Sequence, residues 1–268
     1  MTSGEISKFI GKNVFMRKLA FKAIYWTTLR EWYIKRGLEN AINSVKPEFN
    51  YLDAGSGFGQ TSFAIAKKFH QAKVTGIEID PLQVEACNRI ARSGNLKNLD
   101  FFQGDLAKYN FHNEFDVIFC GSVLEHIADD EKTLEKFYDA LKEKGQLLVY
   151  VPTSEKRVLP SLERKMKKMI RESGNKYLHD HVRYYSVDEL TQKLKAAGFK
   201  VKETTITYGD FGRLAYDIFT TVQYSPIFKY IFPFYLMLVH PFVLTLMAAD
   251  FMRDNRHGNG LMVLAEKR

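Results

Sequence analysis

Cysteine is almost missing from this 268-residue chain. Cys87 and Cys120 are the two that occur, one in a segment with helical spacing and one near the end of an apolar run, and no C-x-x-C pair is present. A disulfide framework and a thiolate metal knuckle are therefore excluded as organising devices, and a reducing, cytoplasmic compartment is expected. No apolar run precedes the first several charges of MTSGEISKFIGKN, so a cleavable secretory leader is not expected. Internal repeats and low-complexity tracts are also absent. From Tyr230 to Ala249 the chain lacks formal charge altogether, over a length that could cross the hydrocarbon of a bilayer as a helix. The whole chain, at 26% charged and 46% hydrophobic with a negative mean hydropathy, has the composition of a soluble domain, so that apolar stretch is a local feature.

Acidic residues are scarce in two segments, and this decides where the net charge of +8 resides. Residues 8–36 contribute +7 and residues 156–176 contribute +6, which leaves −5 for the remainder. The basicity therefore belongs to two segments beside the body, and it suggests an anionic surface, lipid or nucleic acid, as a partner.

The body alternates strand and helix patterns. FNYLDA (49–54), KVTGIEI (73–79), LDFFQGD (99–105), FDVIFCGS (115–122), QLLVYVP (146–152), FKVKETTITYG (199–209) and GLMVLAEK (260–267) read as strands. Asp80 followed by Pro81 predicts a capped helix through Arg92, a helix over 130–144 is expected to stop at Gly145, and Ser186 with Glu189 forms a capping box for the helix ending at Gly198. Strands separated by helix-length segments predict an α/β fold, a parallel sheet with helices on both faces.

The candidate site residues sit at strand ends. In LDAGSGFGQ, Gly55, Gly57 and Gly59 allow a tight turn and a close backbone approach to a ligand, with the next helix offering free N–H groups to an anionic group. The dinucleotide spacing G-x-G-x-x-G is missing, because Gln60 follows the third glycine. Asp53 ends a buried strand, where a carboxylate is costly unless hydrogen-bonded. Glu78 ends the second strand, placed to accept both ribose hydroxyls of a nucleoside, and Asp105 follows the third, placed to accept from an exocyclic amine.

Taken in order, LDAGSGFGQ, GIEID, GDL, FDVIFCGSVLEHI, GQLLVYVP and HVRYYSVDELTQKLKAAGFKV resemble the successive motifs of class I S-adenosylmethionine-dependent methyltransferases, and most of all the small-molecule group that includes ubiquinone- and menaquinone-biosynthesis enzymes. The resemblance covers roughly residues 49–207 and the last strand. It implies a doubly wound, Rossmann-like seven-stranded sheet of order 3-2-1-4-5-7-6 with strand 7 antiparallel. It also implies that Asp53, Gly55, Ser56, Gly57 and Gly59 form the turn under the methionine portion of S-adenosylmethionine, that Glu78 with Ile79 holds the ribose, that Asp105 and Leu106 face the adenine, and that Gly121 and Ser122 lie near the transferred methyl group. His126 is then the candidate base for an acceptor that must lose a proton, with Glu125 beside it. Some relatives carry E-x-x-E-H here and use it on a divalent ion. In this chain Ser122 replaces the first acid, so no metal is expected, although His179 and His181 could complete a site.

Residues 1–48 are expected to form a basic, aromatic helical lid. Residues 49–268 are expected to form the methyltransferase domain, with a basic insertion at 153–180 and an apolar, aromatic insertion at 208–257 that roof the carboxyl edge of the sheet. Because the apolar insertion lies between two neighbouring strands of one sheet, a single membrane crossing is excluded and broken helices are expected, with Pro233 and Pro241 as the breaks. The function this implies is methylation of a small hydrophobic, lipid- or quinone-like acceptor, with the protein cytoplasmic and peripheral on the inner face of an anionic membrane. Nucleic acid is disfavoured as acceptor, since the [DN]PP[YF] motif of the amino-methylating nucleic-acid enzymes is replaced by CGSV. A non-catalytic membrane scaffold is disfavoured by the intact Asp53, Glu78 and Asp105. Oligomeric state is not legible.

Overall fold

The computed structural model describes residues 27–153, 158, 183–223, 225 and 227–268. Most of the expected basic insertion, including His179 and His181, and residues 1–26 of the expected lid lie outside the described residues.

Seven strands form one sheet in the order β3-β2-β1-β4-β5-β7-β6: β1 (Asn50–Ala54), β2 (Lys73–Glu78), β3 (Leu99–Gln103), β4 (Phe115–Gly121), β5 (Leu141–Pro152), β6 (Phe199–Thr207) and β7 (Gly260–Lys267). The first five pair in parallel, and β7 runs antiparallel between β5 and β6. This is the predicted order. The central strands are buried on both faces, so they read as apolar runs rather than as alternating patterns.

Helices α1 (Leu29–Ile42), α2 (Gln60–Lys68) and α3 (Pro81–Ser93) cover one face, where Tyr33, Leu38, Phe63, Ile90 and Leu148 share a core. On the opposite face α4 (Asp130–Ala140) and α5 (Val187–Ala196) bury Leu134, Phe137, Leu190 and Leu194 against β4, β5 and β7. Two caps read from sequence are formed: Asp80 Oδ1 accepts from Leu82 N–H at 2.9 Å, and Ser186 Oγ accepts from Glu189 N–H at 3.1 Å.

Helix α4 ends at Ala140 rather than near Lys144. Leu141 is fully buried and extended, and it already pairs with Phe115 of β4. The chain then bulges through Lys144, at φ 60°, before regular pairing resumes at Gln146. Gly145 serves this bulge, since a Cβ there would stand 2.8 Å from the Lys142 carbonyl oxygen. Burial of Leu141 in the sheet overrides a helical pattern that the charged residues after it would have continued.

Between β6 and β7 the chain makes a helical hairpin on the α1 face: α6 (Asp210–Gln223), α7 (Phe228–Phe234), a π-helical turn (Tyr235–Val239) and α8 (His240–Phe251). The expected break is not there. Tyr230–Phe251 is one continuous 22-residue helix, because the π turn just before His240–Pro241 absorbs the donor that proline lacks and the room its ring requires. Both ends of the excursion do return to the sheet, as its position between neighbouring strands demanded.

The root of the hairpin is a buried polar knot. Asp250, with no exposed surface, accepts from Tyr33 Oη at 2.8 Å, Gly212 N–H at 2.8 Å and Asn255 Nδ2 at 3.3 Å, joining α8 to α1, α6 and the segment leading into β7. Gly212 is required by this approach, since a Cβ there would meet the Asp250 carboxylate at 2.8 Å. Replacing Asp250 with Ala strands buried donors, each costing about 1–3 kcal/mol. Urea unfolding of Asp250→Ala should therefore show a loss of about 3 kcal/mol or more, far above the surface-substitution range, and an unchanged midpoint would remove the knot as a structural anchor.

Candidate active site at the carboxyl edge of the sheet

Strand order reverses between β1 and β4, and the crevice outside their carboxyl ends is the place where open α/β sheets take ligands. The segment Gly55–Gly59 turns there. Its three glycines have φ of 80°, 51° and 70°, conformations that disfavour side chains. Gly55 and Ser56 donate to the Ile77 carbonyl at 2.9 and 2.8 Å, fastening the turn to β2. Gly59 is tight against Phe101 and Phe63, whereas a Cβ on Gly57 would meet only Gln83 Oε1, at 3.7 Å. Gly57 is therefore the point where a ligand can approach the backbone.

Glu78 closes the other side of the turn. Its Oε2 accepts from Gly57 N–H at 2.9 Å and its Oε1 from Asp80 N–H at 3.1 Å. Beside it Ile79 is 63% exposed just past the strand end. Asp53 lies beneath the turn and accepts from Ser62 N–H at 3.1 Å and Ser62 Oγ at 2.5 Å, tying the end of β1 to the first turns of α2. Burial raises its pKa to about 6 against these bonds, with the nearby Glu78 and Glu31 carboxylates adding to the rise. Its observed work is thus to brace the turn from below. Asp105 accepts from Ala107 N–H at 3.0 Å and shapes the turn after β3, while Leu106 packs into the core on the α4 face.

From β4, Gly121 pairs with Tyr150, and Ser122, at φ 57°, donates to the Tyr150 carbonyl at 2.8 Å. This left-handed residue swings the chain into the single 3₁₀ turn Leu124–His126. The turn sends Glu125 inward, 1% exposed, and leaves His126 half-buried. Glu125 Oε2 has no hydrogen-bond partner, and burial raises its pKa to about 7 despite the Arg30 charge nearby. Cys120, just before, is buried and its thiol is held protonated by desolvation, so it is not a nucleophile.

Several site residues were missed by sequence reasoning. Arg30 and Glu31 come from the first turn of α1, where Arg30 Nε donates to Glu31 Oε1 at 3.2 Å and Glu31 Oε2 accepts from Gln60 Nε2 at 2.9 Å. Arg30 N–H also donates to Tyr208 Oη at 2.9 Å, and Tyr150 Oη pairs with Thr207 Oγ1 at 3.2 Å. One signal was available: Glu31 shares a helical stripe with Ile34 and Leu38, and an acid on an apolar stripe calls for a polar partner. Among the described residues no three His, Cys, Asp or Glu side chains gather closely enough to hold a metal ion.

A methyltransferase-domain family profile matches residues 45–204, more than half of the chain, and the chain belongs to that family. Malonyl-(acyl-carrier protein) O-methyltransferase 1 of Ilyobacter polytropus is 29% identical over 110 residues, 41% of this chain and 40% of that protein. Trans-aconitate 2-methyltransferase of Deinococcus radiodurans is 28% identical over 116 residues, 42% of each. The matched segment spans about two-fifths of the length of these relatives. Phosphoethanolamine N-methyltransferase 2 of Haemonchus contortus, solved with S-adenosyl-L-methionine, has the same fold, with a TM-score of 0.58 at 19% identity over 86% of this chain and 51% of that one. By sequence the chain is a member of the methyltransferase-domain family, and its fold is that of a neighbour solved with S-adenosyl-L-methionine, the family and fold that its motifs implied.

The buried acids make a signed prediction. The Glu125 pKa is raised on folding from an ordinary 4.5 to about 7, so the folded state binds the proton more tightly than the unfolded one. The stability this provides is full below about pH 4.5 and is lost as pH rises through about 7. Glu125→Gln removes the buried charge and should raise stability at pH 8 by up to about 3 kcal/mol, with the gain shrinking towards pH 5 in denaturation curves. A gain independent of pH would mean that Glu125 is not the buried titrating acid.

Proposed function

We propose that the chain transfers the methyl group of S-adenosylmethionine to a small, hydrophobic acceptor at this carboxyl edge, mainly by positioning. The observation that carries the cofactor assignment is the Glu78 carboxylate bonded to Gly57 N–H beside the one glycine with open space before it and the exposed Ile79. A carboxylate at that strand end suits the ribose hydroxyls, Gly57 suits close approach by the methionine portion, and Ile79 suits the flat face of a purine. Glu31 and Glu125 lie near the Arg30 guanidinium, and Glu78 and Glu31 lie near Asp53, a grouping richer in acids than in bases that favours a cationic ligand. S-adenosylmethionine bound there supplies a sulfonium methyl already activated toward in-line attack.

The chain then has to orient the acceptor and exclude water. Tyr150, Tyr208 and Tyr216, from β5 and the root of the hairpin, form an aromatic group beside Arg30, with Tyr208 and Tyr216 edge to face at 5.7 Å. This supports an apolar acceptor of lipid or quinone type. The relatives' names give malonyl-(acyl-carrier protein) and trans-aconitate, which support small acceptors and select none. Where the acceptor must lose a proton, His126 accepts it, with Glu125 as the second group on the same turn.

Incubation of cell extract with methyl-labelled S-adenosylmethionine tests the reaction. Label should enter a small molecule extractable into organic solvent, and label found in nucleic acid would overturn the acceptor class. Glu78→Ala should weaken S-adenosylmethionine binding at least about tenfold, as two charge-assisted bonds are lost, and calorimetry returning an unchanged affinity on folded protein would sink the ribose assignment. His126→Ala should lower turnover by roughly 10² while leaving cofactor affinity intact if the acceptor is protic. Near-normal turnover at saturating acceptor would leave His126 a wall residue.

A further inference from the structure

The helix Tyr230–Phe251 has a mean hydropathy of 1.9 over its most apolar window, yet only 28% of that window is buried. A core helix of this composition would be mostly covered. Its root half is covered: Val243, Leu246, Met247 and Asp250 face α6 and α1. The half away from the knot is not. Tyr235 and His240, on either side of the π turn, are buried and bonded to each other at 3.0 Å. The four residues between them, Leu236, Met237, Leu238 and Val239, turn through the remaining sides of the helix and are 41%, 66%, 69% and 38% exposed. Phe234 and Phe242 extend the same surface at 62% and 57%.

Exposure on several sides separates the possible occupants. A second protein presses on one stripe of a helix, whereas an apolar solvent wets every side that the parent domain leaves free. Charge points the same way. Val158, which in sequence stands within the basic stretch 156–176 of net +6, donates its N–H to Asp217 of α6 at 2.9 Å. Basic residues beside an apolar projection complement an anionic leaflet. A single crossing by this excursion is excluded, because both its ends are hydrogen-bonded into one sheet at Thr207 and Gly260.

We propose that the distal half of this hairpin, Phe234 to Phe242, is immersed in one leaflet of an anionic lipid bilayer and holds the domain on the membrane surface without spanning it. The proposal does not depend on the methyl-transfer reading. A projecting hairpin that buries its apolar residues to the depth of the headgroup and acyl boundary binds reversibly and responds to salt and lipid charge.

Flotation of the full chain with vesicles of phosphatidylcholine alone, or mixed with phosphatidylserine, tests it. Wild-type protein should float with the anionic vesicles and be released by about 0.5 M salt. The Met237→Glu/Leu238→Glu variant should bind them at least about tenfold more weakly, and an uncharged variant, Phe234→Ser/Phe242→Ser, should weaken binding in the same direction. Both should keep wild-type thermal unfolding and cofactor affinity by calorimetry, which separates loss of lipid binding from any failure of the cofactor assignment. Wild-type protein that stays in solution with both vesicle types overturns the proposal. So does an oligomer that either variant converts to monomer, which would give the surface to a second copy, and so does wild-type protein in cell membranes that resists both salt and alkaline carbonate, which would mean a true span.

Discussion

Strand β7 running antiparallel between β5 and β6 is the constraint from which most of this molecule follows. Its register with β5, from Gln146 opposite Glu266 to Pro152 opposite Gly260, fixes residues 260–267 inside the sheet, one strand from its edge. Everything between β6 and β7 must then leave and re-enter at one edge. That edge is also where β1, β4 and β5 present their carboxyl ends, so an excursion required by topology stands beside the candidate site, where Tyr208 Oη accepts from Arg30 N–H. The polar knot at Asp250 makes the arrangement rigid, since it joins both helices of the hairpin to α1, whose first turn delivers Arg30 and Glu31 to the same crevice.

The site itself is built from acids held in place by backbone donors. Asp53 is braced by Ser62, and Glu78 by Gly57 and Asp80. Glu125 is the exception, buried with one oxygen unpartnered. In a folded domain such a group is tolerated where the surrounding packing fixes it, and here the left-handed Ser122 and the short 3₁₀ turn leave the chain no other direction in which to point it.

Much of this was legible in the sequence because it is local. Apolar runs bounded by glycine marked the strands, Asp80–Pro81 and Ser186 marked helix starts through bonds that reach two or three residues, and the three glycines marked a turn that needs positive φ. The order of the strands came with the family resemblance. What failed depended on contacts distant in sequence. Helix α4 stops early because Leu141 is claimed by Phe115. Arg30 reads as one more positive charge until its backbone meets Tyr208, 178 residues away. Pro241 reads as a break because the compensating π turn is a property of the helix as packed, with Tyr235 and His240 both turned toward the core.

Thr207 and Gly260 are direct partners across β6 and β7. Measured by where it departs and returns, the whole stretch from Tyr208 to Asn259 is therefore the loop of a single β-hairpin, grown long. Such a loop adds no strand and changes no pairing in the sheet, although its helices share the core on the α1 face. The sheet supplies the shared frame, and the most apolar exposed surface of the described residues is carried at one address in the chain.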